Sequence, residues 1–350
     1  MITPFVLAPT AKWAFTTRRV PMQDPVHMDD ELDGVSAGDL LVARVDRIGS
    51  HKRLQTREGR YSRLYPGDLI VAACGARYAI DQFEGVAELG DGMSDLLAGG
   101  GVIGRVRHRN EKTSAPTRVQ VLGRLADRHK RIINLRDHML ERGPILDRPL
   151  VIGVLGSSMN AGKTDAVAGL IHGLVDAGWR TAGIKLTGTG SFGDIHAYLD
   201  AGASLAIDFT DAGMASTYLE PLDRIVDAFD ALVGEAANSN CTAIVVELAD
   251  GITQAETARL LRLPRFVATI DGFLICAPDP MSARASLSWL AERHIAPMAV
   301  SGLLTRSSLS VHELDGELDI PILSRETLAD PAFASALFHQ AQNATRARAA

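Results

Sequence analysis

The chain has 350 residues, 46% hydrophobic and 22% charged, with a formal net charge of −6. That length accommodates two domains with separate cores, and the acidic balance argues against nucleic acid and anionic membranes as partners. Three well-separated cysteines, Cys74, Cys241 and Cys276, read as buried thiols of a reducing compartment, and no apolar run reaches the roughly 18 residues of a membrane span. The N-terminal segment has no basic start and is broken by Pro4 and Pro9, so a cytoplasmic location is expected.

From about residue 35 to 125, short apolar runs alternate with glycine and charge. Leu40 to Val45, Leu69 to Cys74, Val102 to Val106 and Val119 to Leu122 read as strands of a small all-β, barrel-like domain over residues 1–126. Gly38-Asp39-Leu40-Leu41-Val42-Ala43 echoes Gly67-Asp68-Leu69-Ile70-Val71-Ala72, either as two turn-then-strand entries or as a duplicated barrel unit. The basic, polar run Asp127 to His138 leads to Gly143-Pro144 and reads as a connector over 127–148. Arg131 or Arg136 within it is alternatively a phosphate or substrate contact, although such runs usually form a solvated face.

From 149 to 350 the rhythm becomes alternating strand and helix. Strands are expected at Leu150 to Leu155, Thr181 to Leu186, Leu205 to Phe209, Ala243 to Leu248, Gly272 to Ala277, Met298 to Leu304 and Ile320 to Leu323. This predicts an α/β domain with a parallel, Rossmann-like sheet of the P-loop NTPase type, whose ligands gather at the carboxyl ends of the strands.

The first strand runs into Gly156-Ser157-Ser158-Met159-Asn160-Ala161-Gly162-Lys163-Thr164, followed by Asp165 and a helix-compatible run. Backbone NH groups of such a loop cradle phosphates, Lys163 reaches the outer ones, and Thr164 holds Mg2+. Gly156, Ser157, Ser158, Asn160, Ala161, Gly162, Lys163, Thr164 and Asp165 are therefore the expected nucleotide contacts. The usual spacing would put the first glycine at 157; here it stands one residue earlier.

The second strand ends at Lys185, a costly place for a buried ammonium unless it meets an anion, so a phosphate or an acidic substrate is expected there. The loop after it carries Thr187, Gly188, Thr189, Gly190 and Asp194. The third strand delivers Asp208 and Asp211, and the fourth delivers Glu247 and Asp250. Glu247 follows an apolar run, where nucleotide-hydrolysing folds hold Mg2+, and is the leading carboxylate, with Asp208 as a further metal ligand. Lys163, Lys185 and Glu247 form the expected catalytic set. Thr187, Thr189, Asp194, Asp211 and Asp250 are the expected substrate contacts; Asp194 and Asp211 alternatively cap helices or form turns. Loops after 277 and 305 border the base and ribose, and the absence of N-K-x-D favours ATP over GTP. His172 and His196 read as helix-surface residues, and Met159 and Met214 as packing.

With these motifs assembled, residues 150 to 325 resemble dethiobiotin synthetase and its relatives among the SIMIBI-class P-loop NTPases, which include the molybdopterin-guanine-dinucleotide accessory protein. The resemblance rests on the longer loop from Gly156 to Thr164, on Lys185, and on Val246-Glu247-Leu248-Ala249-Asp250-Gly251. Thr187-Gly188-Thr189-Gly190 and Asp208-Phe209 are also similar to segments of a poorly characterised family with a related loop. The resemblance implies triphosphate contact by Lys163, Mg2+ binding through Thr164 and Glu247, and substrate or phosphate contact by Lys185. Dethiobiotin synthetase has an aspartate where Ser158 stands, has Pro-Val where Leu186-Thr187 stand, and lacks a β-rich N-terminal domain. The dimeric partitioning ATPases have a lysine where Ser157 stands.

The expected function is an ATP- and Mg2+-dependent enzyme of ligase or kinase type acting on a small carboxylate or amine metabolite. The alternatives are a nucleotide-dependent switch or accessory NTPase acting on a protein partner, and an acyltransferase whose loop holds a phosphate-bearing coenzyme. Relatives of this class are often dimers, which implies a homodimer.

Overall fold

The computed structural model describes residues 1–143 and 148–349. Two compact units emerge: Met1–Leu140 with Gly188–Phe192 and Phe209–Glu220, and Glu141–Thr187 with Gly193–Asp208 and Pro221–Ala350. Two short segments numbered inside the expected 149–350 domain thus belong to the first unit. The expected connector 127–148 lies partly outside the described residues. Its first part belongs to the first unit, where Ile133 and Leu135 are buried in an apolar cluster and Asn134 caps a short 3-10 turn over Leu135–His138.

In the first unit, strands Leu40–Arg47, Leu69–Cys74, Val102–Arg109, Ser94–Ala98 and Thr117–Ala126 pair in a closed circuit. All its pairings are antiparallel except that of Val102–Arg109 with Leu69–Cys74, where Val102 lies opposite Ala73. Alternation along the strands explains why they read as unbroken apolar runs. Leu41, Ala43, Ile70, Ala72, Leu96, Ile103 and Val119 enter one buried cluster, while Leu40, Val42, Val71, Ala73, Leu97 and Val102 enter another. Both faces are buried along these stretches, which is why the runs there are mostly apolar. The two Gly-Asp echoes are turn-then-strand entries, with Gly38 and Gly67 at φ 91° and 92°, a region that glycine enters without penalty. The two strands that follow are neighbours, with Val42 opposite Val71.

The second unit holds a six-stranded sheet: β1 (Leu150–Gly156), β2 (Thr181–Lys185), β3 (Leu205–Asp208), β4 (Ala243–Glu247), β5 (Gly272–Cys276) and β6 (Ala299–Ser301). They lie in the order β3-β2-β4-β1-β5-β6, every pairing parallel. Apart from the terminal Glu247, β1 and β4 are built from Val, Ile, Leu, Ala and Gly because both faces are covered. The first helix, α1 (Lys163–Asp176), and the C-terminal helix Pro331–Ala349 contribute Leu170, Leu174, Leu337 and Phe338 to a core with Ile152, Val154, Val245 and Leu274.

Two expected strands differ. The sixth stops at Ser301 because Gly302, at φ 99°, turns the chain into a 3-10 turn over Leu303–Arg306. Ile320 to Leu323 is a single bridge, Val300 with Ile322, and not a strand; Pro321 has no NH to extend a ladder. All three cysteines are free and buried, and among the described residues no helix is long and apolar enough to cross a membrane.

Candidate functional site

The chain passes from β1 to β2 over the place later filled by β4, so the sheet reverses its order beside β1. Crevices at such reversals, at the carboxyl ends of strands, are where ligands bind in open α/β sheets. The loop from Gly156 to Thr164 sits there, held on three sides by backbone bonds. Ser157 N donates to Cys276 O at the end of β5 (2.9 Å), Ile252 N to Gly156 O (2.8 Å), and Leu303 N to Ala161 O (3.0 Å). Close approach dictates the glycines. A Cβ on Gly156 would lie 2.7 Å from Lys163 Nζ, one on Gly251 2.7 Å from Ser157 O, and one on Gly162 2.9 Å from Leu303 N; Gly162 also has φ +91°.

Lys163 is the first residue of α1, buried, with its ammonium folded into the loop. It donates to Ser158 O (2.9 Å), Met159 O (3.0 Å) and Asp250 O (2.7 Å). Burial holds its pKa below the ordinary lysine value, against the pull of Glu247. Asp250 reaches the site through its carbonyl and adopts φ 64°, a left-handed conformation that Asp tolerates better than most residues.

Thr164, one residue further, bonds through Oγ1 with Asp194 Oδ1 (2.9 Å) and with Glu247 Oε2 (3.1 Å). Glu247 ends β4 and is fully surrounded; burial raises its pKa, and the neighbouring Asp194 charge adds to this. Lys185 ends β2 in register with Glu247 on one side and Asp208 on the other. Its ammonium pairs with Asp194 Oδ2. Burial would lower the Lys185 pKa, but the Asp194 and Glu247 charges outweigh it and raise it; the same pair holds Asp194 below the usual carboxylate range despite its burial.

Lys163, Thr164, Glu247, Lys185 and Asp194 are therefore brought together, from one loop, two strand ends and helix α2 (Phe192–Asp200). Asp194, expected as a substrate contact, is the second carboxylate on Thr164. Asp208, expected as a metal ligand, lies in the register on the far side of Lys185. Thr187 Oγ1 faces Ala249 O at 3.4 Å. Thr189 and Asp211 belong to the first unit, where Thr189 bridges Ser216 and the Asp211 carboxylate pairs with Arg18. Asp165 points away from the loop to Arg306 (2.6 Å). That pair borders a cavity of about 380 Å3 lined by Gly162, Ala166, Ser301, Leu303 and Thr305, next to the loop and following β6.

Tyr198 was not visible as a site residue from the sequence: it is fully buried and donates to Glu247 Oε2 at 2.6 Å. The available signal was its spacing, one helical turn after Asp194 on the same face of α2.

The residues fit a polyphosphate with Mg2+. Ser157 Oγ is buried with no hydrogen-bond partner among the described residues, the glycine cradle admits no side chain, and the amino end of α1 supplies NH groups that have no partner within the helix. Thr164, Glu247 and Asp194 offer hard oxygen donors at one point. Among the described residues no group of three His, Cys, Asp or Glu is placed to hold a metal ion.

Fold and loop define the class as an α/β, P-loop architecture. No protein-family model matches the chain, and no curated protein does. Among solved structures, the signal recognition particle receptor FtsY from Elizabethkingia anophelis in complex with GDP is 14% identical, with a TM-score of 0.36 over 58% of this chain and 67% of that one. The same receptor in a second structure is 15% identical with a TM-score of 0.36, over 59% and 75%. A DUF1611 family protein from Anabaena variabilis is 12% identical with a TM-score of 0.38, over 58% and 61%. Likeness this low leaves the reading of the site to its own geometry.

Proposed function

We propose that the α/β unit binds a nucleoside triphosphate with Mg2+ and transfers its terminal phosphoryl group, as an ATP- or GTP-dependent enzyme of ligase or kinase type acting on a small carboxylate or amine metabolite. The observation that carries this reading is the convergence on Thr164 Oγ1 of Glu247 and Asp194, with Lys163 folded into the adjoining loop. Phosphoryl transfer asks the protein chiefly for positioning and charge neutralisation. Lys163 and the loop amides would hold the β- and γ-phosphates, Mg2+ would sit at Thr164 with Glu247 and Asp194, and Lys185, released from Asp194, would meet the transferred group or an acidic substrate. The cavity bordered by Asp165 and Arg306 supplies room for the nucleoside.

Calorimetry with ATP and GTP, with and without Mg2+, tests the reading. Micromolar, Mg2+-dependent binding that Lys163→Ala weakens about 100-fold is expected. No binding of either nucleotide overturns it.

A nucleotide-dependent switch is the second reading, supported by one observation. The segments Gly188–Phe192 and Phe209–Glu220, which follow β2 and β3 in the chain, are built into the first unit. Turnover that is slow alone and rises only with a protein partner would favour the switch; turnover that depends on a metabolite would favour the enzyme.

A further inference from the structure

We infer that Tyr198 is the positioning residue of the metal site, holding Glu247 in the orientation that Mg2+ requires; the inference rests on the nucleotide reading above. Helix α2 presents Asp194 and Tyr198 one turn apart, and each engages a different part of the site. Asp194 accepts from Thr164 Oγ1 and pairs with Lys185, while the Tyr198 hydroxyl donates to Glu247 Oε2 at 2.6 Å. Glu247 Oε2 is thereby held between a buried phenol and Thr164 Oγ1 (3.1 Å), with Oε1 3.3 Å from the same hydroxyl.

The ring has been given a seat at some cost to the sheet. Tyr198 packs across β2 at Gly183, where any Cβ would come within 2.7 Å of ring carbon Cδ2 and 2.8 Å of Cβ and Cγ. Glycine in the middle of a strand weakens it relative to alanine. A smaller apolar residue at 198 would fill the core without that glycine. A phenol placed there reaches Glu247, and a buried hydroxyl needs such a partner. Groups that orient a metal-binding carboxylate in this way typically govern metal affinity by about 10- to 100-fold.

Tyr198→Phe keeps the ring and removes only the hydroxyl. Mg2+ is titrated into protein with a fixed concentration of ATP, and nucleotide affinity is also measured in EDTA. Positioning predicts that half-saturating Mg2+ rises about tenfold while metal-free affinity and folded secondary structure stay as in the wild type. In a Glu247→Gln background the same change should have no further effect, because Tyr198 acts through Glu247. A Tyr198→Phe protein with wild-type Mg2+ dependence overturns the inference and leaves the nucleotide reading intact, as does an equal loss in both backgrounds, which marks a packing role. Wild-type protein without Mg2+-dependent nucleotide binding overturns the nucleotide reading and this inference together.

Discussion

Both units bury charge, but they do so differently. In the strand circuit each buried carboxylate has a fixed structural task. Asp95 takes Arg118 Nη1 at 2.7 Å and Val106 NH at 2.9 Å, and Asp39 takes Asn134 Nδ2 at 2.9 Å and Ser36 NH at 2.9 Å. The pairs are scattered, and each ties two neighbouring pieces of chain. In the α/β unit Lys163, Lys185, Asp194 and Glu247 gather beside adjacent strand ends: Lys185 pairs with Asp194, both carboxylates meet the Thr164 hydroxyl, and Lys163 is held by three loop carbonyls. Desolvating ions is expensive, so a fold gains little stability from concentrating them. The first arrangement marks scaffold and the second marks a site.

The sharpest way to break that contrast is Lys163→Ala, which should weaken triphosphate binding by about 100-fold, the worth of strong charge-assisted hydrogen bonds, with a small change in melting temperature. Calorimetry beside thermal melting checks both halves. Thr164→Val, which keeps shape and loses the hydroxyl, should raise half-saturating Mg2+ about tenfold; an unchanged value would move the metal elsewhere.

On the scaffold side the effects should appear in stability alone. Asp95→Ala strands the Val106 NH and releases Arg118, and should cost about 2 kcal/mol in denaturant unfolding with nucleotide affinity unaltered.

The strand circuit should also respond to acid. Burial, reinforced by the Arg77 guanidinium, pushes His51 down to about 4, so the folded chain keeps it neutral where the unfolded chain, at about 6.5, takes up a proton. Stability from this source is complete above pH 6.5 and is lost as pH falls toward 4. The full shift would amount to about 3 kcal/mol, and solvent reaching part of the ring reduces it to about 2. Urea titrations across that window should show the slope, and His51→Gln should flatten it. Arg306→Ala should do least: its pair with Asp165 is exposed, so stability should move by less than about 0.5 kcal/mol.

The site was legible where its signal is local. A strand, a glycine-rich loop, Lys163 and Thr164 are contiguous, and Lys185 and Glu247 each end an apolar run, so period and composition locate them. Asp194 and Tyr198 belong to an ordinary-looking helix, and only tertiary packing tells that one meets Thr164 and the other Glu247. Gly183 likewise reads as a plain strand residue until the ring above it is known. In the first unit the strands themselves were legible, but the parallel pairing of Val102 with Ala73 joins strands far apart in the chain, and nothing in either run encodes it. Thr189 and Asp211 follow sheet strands in sequence, yet their segments belong to the other unit, which no local pattern announces.

The folded-in ammonium of Lys163 has a kinetic side. Three carbonyl oxygens already occupy its donors, so an incoming anion succeeds only by exchange, replacing acceptors one for one as it arrives. A triphosphate can supply several oxygens in concert, whereas inorganic phosphate leaves part of the set to be remade by water. On the proposed reading, the loop would discriminate by the number of oxygens a ligand brings, before any base or substrate is read.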